Sequence, residues 1–207
     1  MSANEILVGQ TRVQAIGGQF NEQLFSELHA RYGMLSRSGR LFNAYAILTA
    51  PVIFSTAAGT GGPLLWNPPA SGVDAVLVAA GIATSVVTTV ATGLGLTGAG
   101  GQNLIPATTT AIDASGPCRI GGAAAQVQSY RIGTPTNAGA QFVPLGQVHT
   151  GALTVDTTGM TFLFLDGLYT VPPGAWASIA AGATATTLVA SMALIWAEVA
   201  TGKSGAV

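Results

Sequence analysis

The chain has 207 residues, 49% hydrophobic and only 7% charged, with seven Lys or Arg against eight Asp or Glu and a formal net charge of −1. Soluble domains average about 25% charged residues, and so balanced a chain offers no bulk electrostatic attraction to nucleic acid or an anionic membrane. A single cysteine, Cys118, excludes an intramolecular disulfide and a four-cysteine zinc site.

The first forty residues are chemically distinct. They hold seven of the fifteen charged side chains (Glu5, Arg12, Glu22, Glu27, Arg31, Arg37 and Arg40). The start has neither a basic n-region nor a long apolar h-region, so no signal peptide is predicted. Residues 1–18 read as extended, ending at Gly17-Gly18. From Gln19 the pattern becomes helical. Phe20, Leu24, Phe25, Leu28 and Tyr32 share one stripe, which predicts an amphipathic helix over residues 19–32. Gly33 supplies its C-terminal stop, and His29 and Arg31 sit in the last turn, where cations suit the helix dipole. The predicted organisation is an N-terminal arm over 1–40, with hinges at Gly17-Gly18 and 36–39, followed by a β domain over 41–207.

Residues 40–57 read as a strand broken at Pro51. Leu64, Leu65 and Trp66 form a short strand, and Asn67-Pro68-Pro69 turns. A residue before proline is driven to extended backbone, and an asparagine side chain bonds backbone groups of a following turn. Trp66, Asn67 and Pro68 are therefore read as a structural corner. Further strands are predicted over 73–83, 84–96, 103–114, 123–132, 142–148, 151–157 and 160–165, with Gly- and Pro-rich loops between them. In the stretch 73–83, Val76, Val78 and Ala80 alternate against Leu77, Ala79 and Gly81.

After the Pro172-Pro173-Gly174 turn come two long strands joined through Gly182. In the second, Leu188, Ala190, Met192, Leu194 and Trp196 share one face, and Val189, Ser191, Ala193, Ile195 and Ala197 the other. Residues 175–197 are uncharged and long enough to cross a membrane as a helix. Gly182 and the threonines at 184, 186 and 187 favour strands instead. Many short strands without alternating helices predict a mainly β, antiparallel sandwich with an N-terminal arm and one short helix.

Candidate chemistry is sparse. His29 and His149 lack metal-ligand spacing. Asp156 and Asp166 flank a strand and form a possible carboxylate pair or calcium site, yet Asp156-Thr157-Thr158-Gly159 and Asp166-Gly167 are ordinary turn sequences. Gly93-Leu94-Gly95-Leu96-Thr97-Gly98 matches a dinucleotide-binding string, but no helix follows it. Cys118 lies beside Arg119 with no histidine near it in sequence, so a core or interface thiol is expected. Arg12, Arg31, Arg37 and Arg40 are offset by Glu22 and Glu27 and suit contacts to a partner subunit better than nucleic acid. No catalytic residue, metal or cofactor is expected, and the chain is read as a non-enzyme.

Three places carry a resemblance. Glu27-Leu28-His29-Ala30-Arg31-Tyr32 followed by Arg37-Ser38-Gly39-Arg40-Leu41-Phe42-Asn43-Ala44 is one. Leu64-Leu65-Trp66-Asn67-Pro68-Pro69-Ala70-Ser71-Gly72 with Val73 to Leu77 is the second. The third is Pro172-Pro173-Gly174-Ala175-Trp176 with Leu194-Ile195-Trp196-Ala197-Glu198. They resemble stretches of small jelly-roll-like virion structural proteins of tailed bacteriophages. The chain departs from them at Gly33, where a second aromatic is usual, and at Asp74, where asparagine is usual.

The resemblance implies a jelly-roll-like virion component of a head, neck or tail, with no catalytic residues. Joined to the sparse charge, it leads to the expectation of a head-associated structural protein, a capsid decoration or cement. A homo-oligomer is expected, a trimer by analogy, bound to other virion proteins such as the major capsid protein, with neither nucleic acid nor membrane as partner. The expected contact residues are Phe20, Leu24, Phe25, Leu28, Arg31, Tyr32, Arg37 and Arg40. The alternative is a tail-fibre or receptor-binding module in which Tyr130, Trp176 or Tyr169 stacks on glycans from loops.

Overall fold

The computed structural model describes residues 4–8, 11–15, 32–49, 62–86, 92–137, 139, 141–148, 160–181 and 189–201. The chain divides into two compact units, Met1–Met34 and Leu35–Val207. In the first unit β1 (Asn4–Val8) and β2 (Thr11–Ala15) pair antiparallel, with Asn4 opposite Ala15 and Val8 opposite Thr11. The helix expected over 19–32 lies outside the described residues, apart from Tyr32, which is in a turn.

Gly33, expected as the stop of that helix, is itself the first residue of the single-turn helix α1 (Gly33–Arg37). The terminator is Gly39, at φ +71°. The Gly39 amide donates to Ser36 O at 3.0 Å and the Arg40 amide to Leu35 O at 2.9 Å. That left-handed cap suits glycine, which has no Cβ to clash there. The segment 36–39, expected as a hinge, is the end and cap of α1.

Among the described residues eleven strands follow: β3 (Leu41–Thr49), β4 (Leu64–Asn67), β5 (Val73–Val86), β6 (Thr92–Ala99), β7 (Ala107–Ala111), β8 (Ala114–Pro117), β9 (Gln128–Thr134), β10 (Gln141–Val148), β11 (Met160–Val171), β12 (Ala175–Ala181) and β13 (Val189–Ala200). They form two antiparallel sheets, ordered β10-β6-β12-β4-β9-β7 and β11-β5-β13-β3-β8. The protein is a β-sandwich.

The pairing has a simple rule. β3 pairs with β13, β4 with β12, β5 with β11 and β6 with β10, alternating between the sheets. Strands from the first half thus meet strands counted back from the C-terminus, as in a long two-stranded ribbon rolled on itself. The pairs β5–β13 and β6–β12 join neighbouring turns of the roll. β7, β8 and β9 are inserted between β6 and β10 and extend both sheets.

The two C-terminal strands are therefore not a hairpin, as the sequence had suggested. β12 lies between β6 and β4, whereas β13 lies between β5 and β3 in the other sheet. Every residue of β12 is buried. A strand with so little exposure needs neighbours on both edges, and the distant segments β4 and β6 supply them.

The core fills the space between the sheets. Leu65, Leu94, Leu96 and Ile179 enter from the six-stranded sheet, and Phe42, Leu77, Met192, Leu194 and Trp196 from the five-stranded one. Trp196 stacks on Phe42 with ring centroids 5.9 Å apart. Of the two faces read for β13, one is buried: Ala190, Met192 and Leu194 have no exposure and Trp196 has 1%; Leu188 lies outside the described residues, and Ala197, read onto the other face, is also buried at 2%. In β5 the predicted alternation fails. Trp196 stands opposite Leu77 and Ile195 opposite Ala79, so Val78 is an extra residue. Such a bulge reverses the parity of the strand beyond it, and Leu77 and Ala80 both enter the core.

Candidate assembly surface

β11 is an edge strand of the five-stranded sheet. It runs beside β5 from Met160 opposite Ala83 to Phe164 opposite Ala79, then resumes at Tyr169 opposite Leu77. Residues 165–168 are extra. Asp166 at φ +50° and Gly167 at φ +80° fold them out of the ladder; two successive positive φ values make a tight reversal of the primed kind. Leu165 remains 6% exposed in the core, whereas Leu168 is 80% exposed.

Before this protrusion, Phe162 and Phe164 point away from the core, 41% and 63% exposed. Their rings meet edge to face, with centroids 5.2 Å apart and planes at 81°. The ring of Phe162 covers Gly81, where a Cβ would stand 3.2 Å from Phe162 Cδ2.

Two rows of residues cross the outer face from this edge. One runs Phe162, Gly81, Ala193, Tyr45; the other Phe164, Ala79, Ile195, Asn43. None of these residues carries a charge at neutral pH. Ile47, further along β3, is 49% exposed, and Tyr45 Oη hydrogen-bonds Ser191 Oγ at 3.0 Å. At the far edge the Ile47 amide donates to Asp113 at 2.7 Å, and Asp113 pairs with Arg131 at 3.3 Å. Asp113 and Arg131 thus stand at the rim of these two uncharged rows, and the exposed apolar groups beside them are Phe162, Phe164 and Ile47; contiguous exposed apolar groups mark interaction surfaces.

The Trp66-Asn67-Pro68 corner lies at an end of the sandwich. Asn67 has no exposure; its Nδ2 donates to Val73 O at 2.7 Å and to Val171 O at 2.8 Å. Its backbone oxygen accepts from the Gly174 amide at 2.8 Å, and Pro68 O accepts from the Ser71 amide at 3.0 Å. One side chain thereby joins the β4–β5 turn to the β11–β12 turn. Trp66 Nε1 donates to Gln102 O at 2.9 Å, and Gln102 Oε1 accepts from Thr136 N and Oγ1 at 2.8 and 2.6 Å. Trp66, Trp176 and Leu64 form a second apolar cluster with Tyr130 packed against it.

Of the predicted contact residues, Phe20, Leu24, Phe25, Leu28 and Arg31 lie outside the described residues, as do His29, His149 and Asp156. Tyr32 is half-buried, and Arg37 and Arg40 are exposed. Arg37 O accepts from Arg119 Nη1 at 2.9 Å, and Arg40 O from the Glu198 amide at 2.9 Å. Gly93, Gly95 and Gly98 lie inside β6, with no helix after them. Gly98 has a packing reason, since a Cβ there would stand 2.5 Å from Trp176 O. Cys118 is half-buried, with Asn43 Nδ2 3.7 Å from its sulfur. Among the described residues no three His, Cys, Asp or Glu side chains gather as metal ligands, and no helix is long and apolar enough to cross a membrane.

The three aromatics named for glycan stacking sit on strands, not loops. Trp176 is 3% exposed and cannot stack on a ligand; Tyr130 and Tyr169 are half-buried. Burial raises the Tyr130 phenol above its ordinary pKa, and its hydroxyl donates to Gln128 Oε1. A cavity of about 240 Å³ is lined mainly by apolar side chains, including Leu77, Leu96, Val143 and Val171, beside Tyr169.

Sequence reasoning missed Phe162 and Phe164. The run 162–165 is apolar at every position, so period-two analysis does not say which face meets solvent. No family model, curated protein or solved structure matches the chain.

Proposed function

We propose that this chain is a non-enzymatic structural protein of a tailed-bacteriophage particle, a jelly-roll-like subunit that assembles as a homo-oligomer on the head as a decoration or cement. Its action is associative: surfaces poor in charge pack on other copies and on virion proteins such as the major capsid protein. The two uncharged rows on the outer face of the five-stranded sheet, bordered by exposed Phe162 and Phe164, carry this reading. Leaving such a surface open to water is unfavourable, and burial against neighbours removes it at about 25 cal/mol per Å².

Two further observations support it. The ribbon-like pairing of β3–β6 with β10–β13 follows the strand order of double-sheet jelly rolls, common in capsid proteins. The stretches at 27–44, 64–77, 172–176 and 194–198 resemble phage virion proteins. The glycan-binding alternative is weaker, because its aromatics are buried or half-buried on strands. The proposed role needs no cofactor, nucleic acid or membrane.

The test is mass spectrometry and cryo-electron microscopy of particles purified from the virus that encodes the chain. Many symmetric copies on the head are expected. Absence from the particle overturns the proposal, and a position at the tail tip overturns the head assignment.

A further inference from the structure

We propose that β11 pairs with β11 of a second copy, antiparallel across a two-fold axis centred on Leu163, and so joins two five-stranded sheets into one of ten strands.

Among the described residues only β5 pairs with β11, so one row of its backbone N–H and C=O groups faces outward. Monomeric proteins guard such edges with charges, prolines, bulges or short strands. The Asp166-Gly167 protrusion guards only the second half of β11. The first half, residues 160–164, contains neither a charge nor a proline. The opposite edge of the sheet, β8, is only four residues long and ends in Pro117. One edge is blunted and the other is a template, which favours a closed pair over a growing fibre.

The occupant follows from the sequence of the edge. Phe162-Leu163-Phe164 reads the same in both directions, so a two-fold axis through Leu163 sets aromatic against aromatic. Centred on Leu163, the pairing sets Phe162 opposite Phe164 of the partner subunit and Phe164 opposite Phe162 of the partner subunit. Directly opposed Cβ atoms lie about 5 Å apart, so the two edge-to-face pairs merge into one four-ring cluster on the outer face. Centring on Phe164 instead would set Phe162 against Asp166 of the partner subunit. A shift of one residue would send the rings to opposite faces. The Leu163 register alone keeps all four rings together and every carboxylate out.

This contact deepens the homo-oligomer reading and does not depend on the particle. It makes dimers, or joins trimers in pairs.

The full chain is tested by sedimentation velocity at micromolar concentration, as wild type and as Phe164→Lys, with a thermal melt of each. The wild type is expected to associate, and Phe164→Lys to weaken association by about tenfold or more while the chain stays folded, its melting temperature lowered by no more than about 4 °C, since Phe164 is 63% exposed. Register is read by oxidising Phe162→Cys and Phe164→Cys chains, each carrying Cys118→Ser, alone and mixed. A disulfide is expected only in the mixture, because identical positions are diagonal neighbours too far apart to bridge. A monomeric wild type overturns both this pairing and the homo-oligomer. An oligomer indifferent to Phe164→Lys, or cross-linking as strong in the unmixed samples, overturns the β11 contact alone.

Discussion

The ring of Phe162 covers Gly81, which stands beside it in the neighbouring strand opposite Leu163's predecessor in the ladder; a Cβ on Gly81 would lie 3.2 Å from Phe162 Cδ2. A glycine inside a strand leaves backbone without side-chain cover, and an aromatic ring from an adjacent strand restores it. Phe162→Ala is therefore expected to lower stability by about 0.5–1 kcal/mol, in the range of cross-strand aromatic pairs. Phe164→Ala should cost less in a chain kept monomeric by dilution, since Phe164 is the more exposed ring. Urea midpoints of the two variants decide the order.

Asn67 ties two turns together. Its amide donates to the carbonyls of Val73 and Val171, and Asn67→Ala leaves both without that donor. Ser71 Oγ still donates to Val73 O at 3.2 Å, so the lost donor falls mainly on Val171 O, and a loss of about 1–3 kcal/mol is expected from denaturant unfolding, because an unsatisfied buried acceptor retains its desolvation penalty. Asn67→Asp adds a sign. An ionised carboxylate facing two carbonyls raises the folded-state pKa above the unfolded value, so the folded chain binds the proton more tightly. Stability of that variant should rise as pH falls from neutrality toward 4; a flat profile counts against this geometry.

Gly39 isolates a purely conformational effect. Its φ is +71°, and nothing lies within 4 Å of a Cβ built there. Gly39→Ala is expected to cost about 1 kcal/mol, and Gly39→Asn less, because asparagine tolerates the left-handed region. Thermal unfolding of the three chains measures the ranking.

Burial raises the pKa of Tyr130. A raised acid keeps its proton longer in the folded state, so folding gains nothing from it at neutral pH and loses stability as pH climbs past the unfolded value of about 10. Among the four tyrosines, Tyr130 should ionise later in an absorbance titration than a free phenol does. Tyr130→Phe should remove the late phase.

Much of the fold was legible in the residues. In β13, Ala190, Met192, Leu194 and Trp196 share the face that the alternation assigned them, and the fold buries that face. The corner at Trp66, Asn67 and Pro68 was legible because proline restricts its predecessor and asparagine bonds nearby backbone. The candidate surface was not. Phe162 and Phe164 alternate with Leu163 and Leu165, and hydrophobicity does not distinguish the two sides of such a strand. Parity was lost at Val78 for a related reason: no residue type announces an extra position when its neighbours are Val, Leu and Ala.

Composition and periodicity alone determined that this chain is built from antiparallel strands, poor in charge, with two sorted faces on its last strand. These properties are local, because alternation along an extended backbone sorts side chains to opposite faces. Strand partners and the open edge were decided only in three dimensions. β12 and β13 follow one another in the chain yet lie in different sheets, because covering both edges of a buried strand takes backbone from distant segments. The same distant pairing leaves β11 at the rim, with Phe162 and Phe164 facing outward.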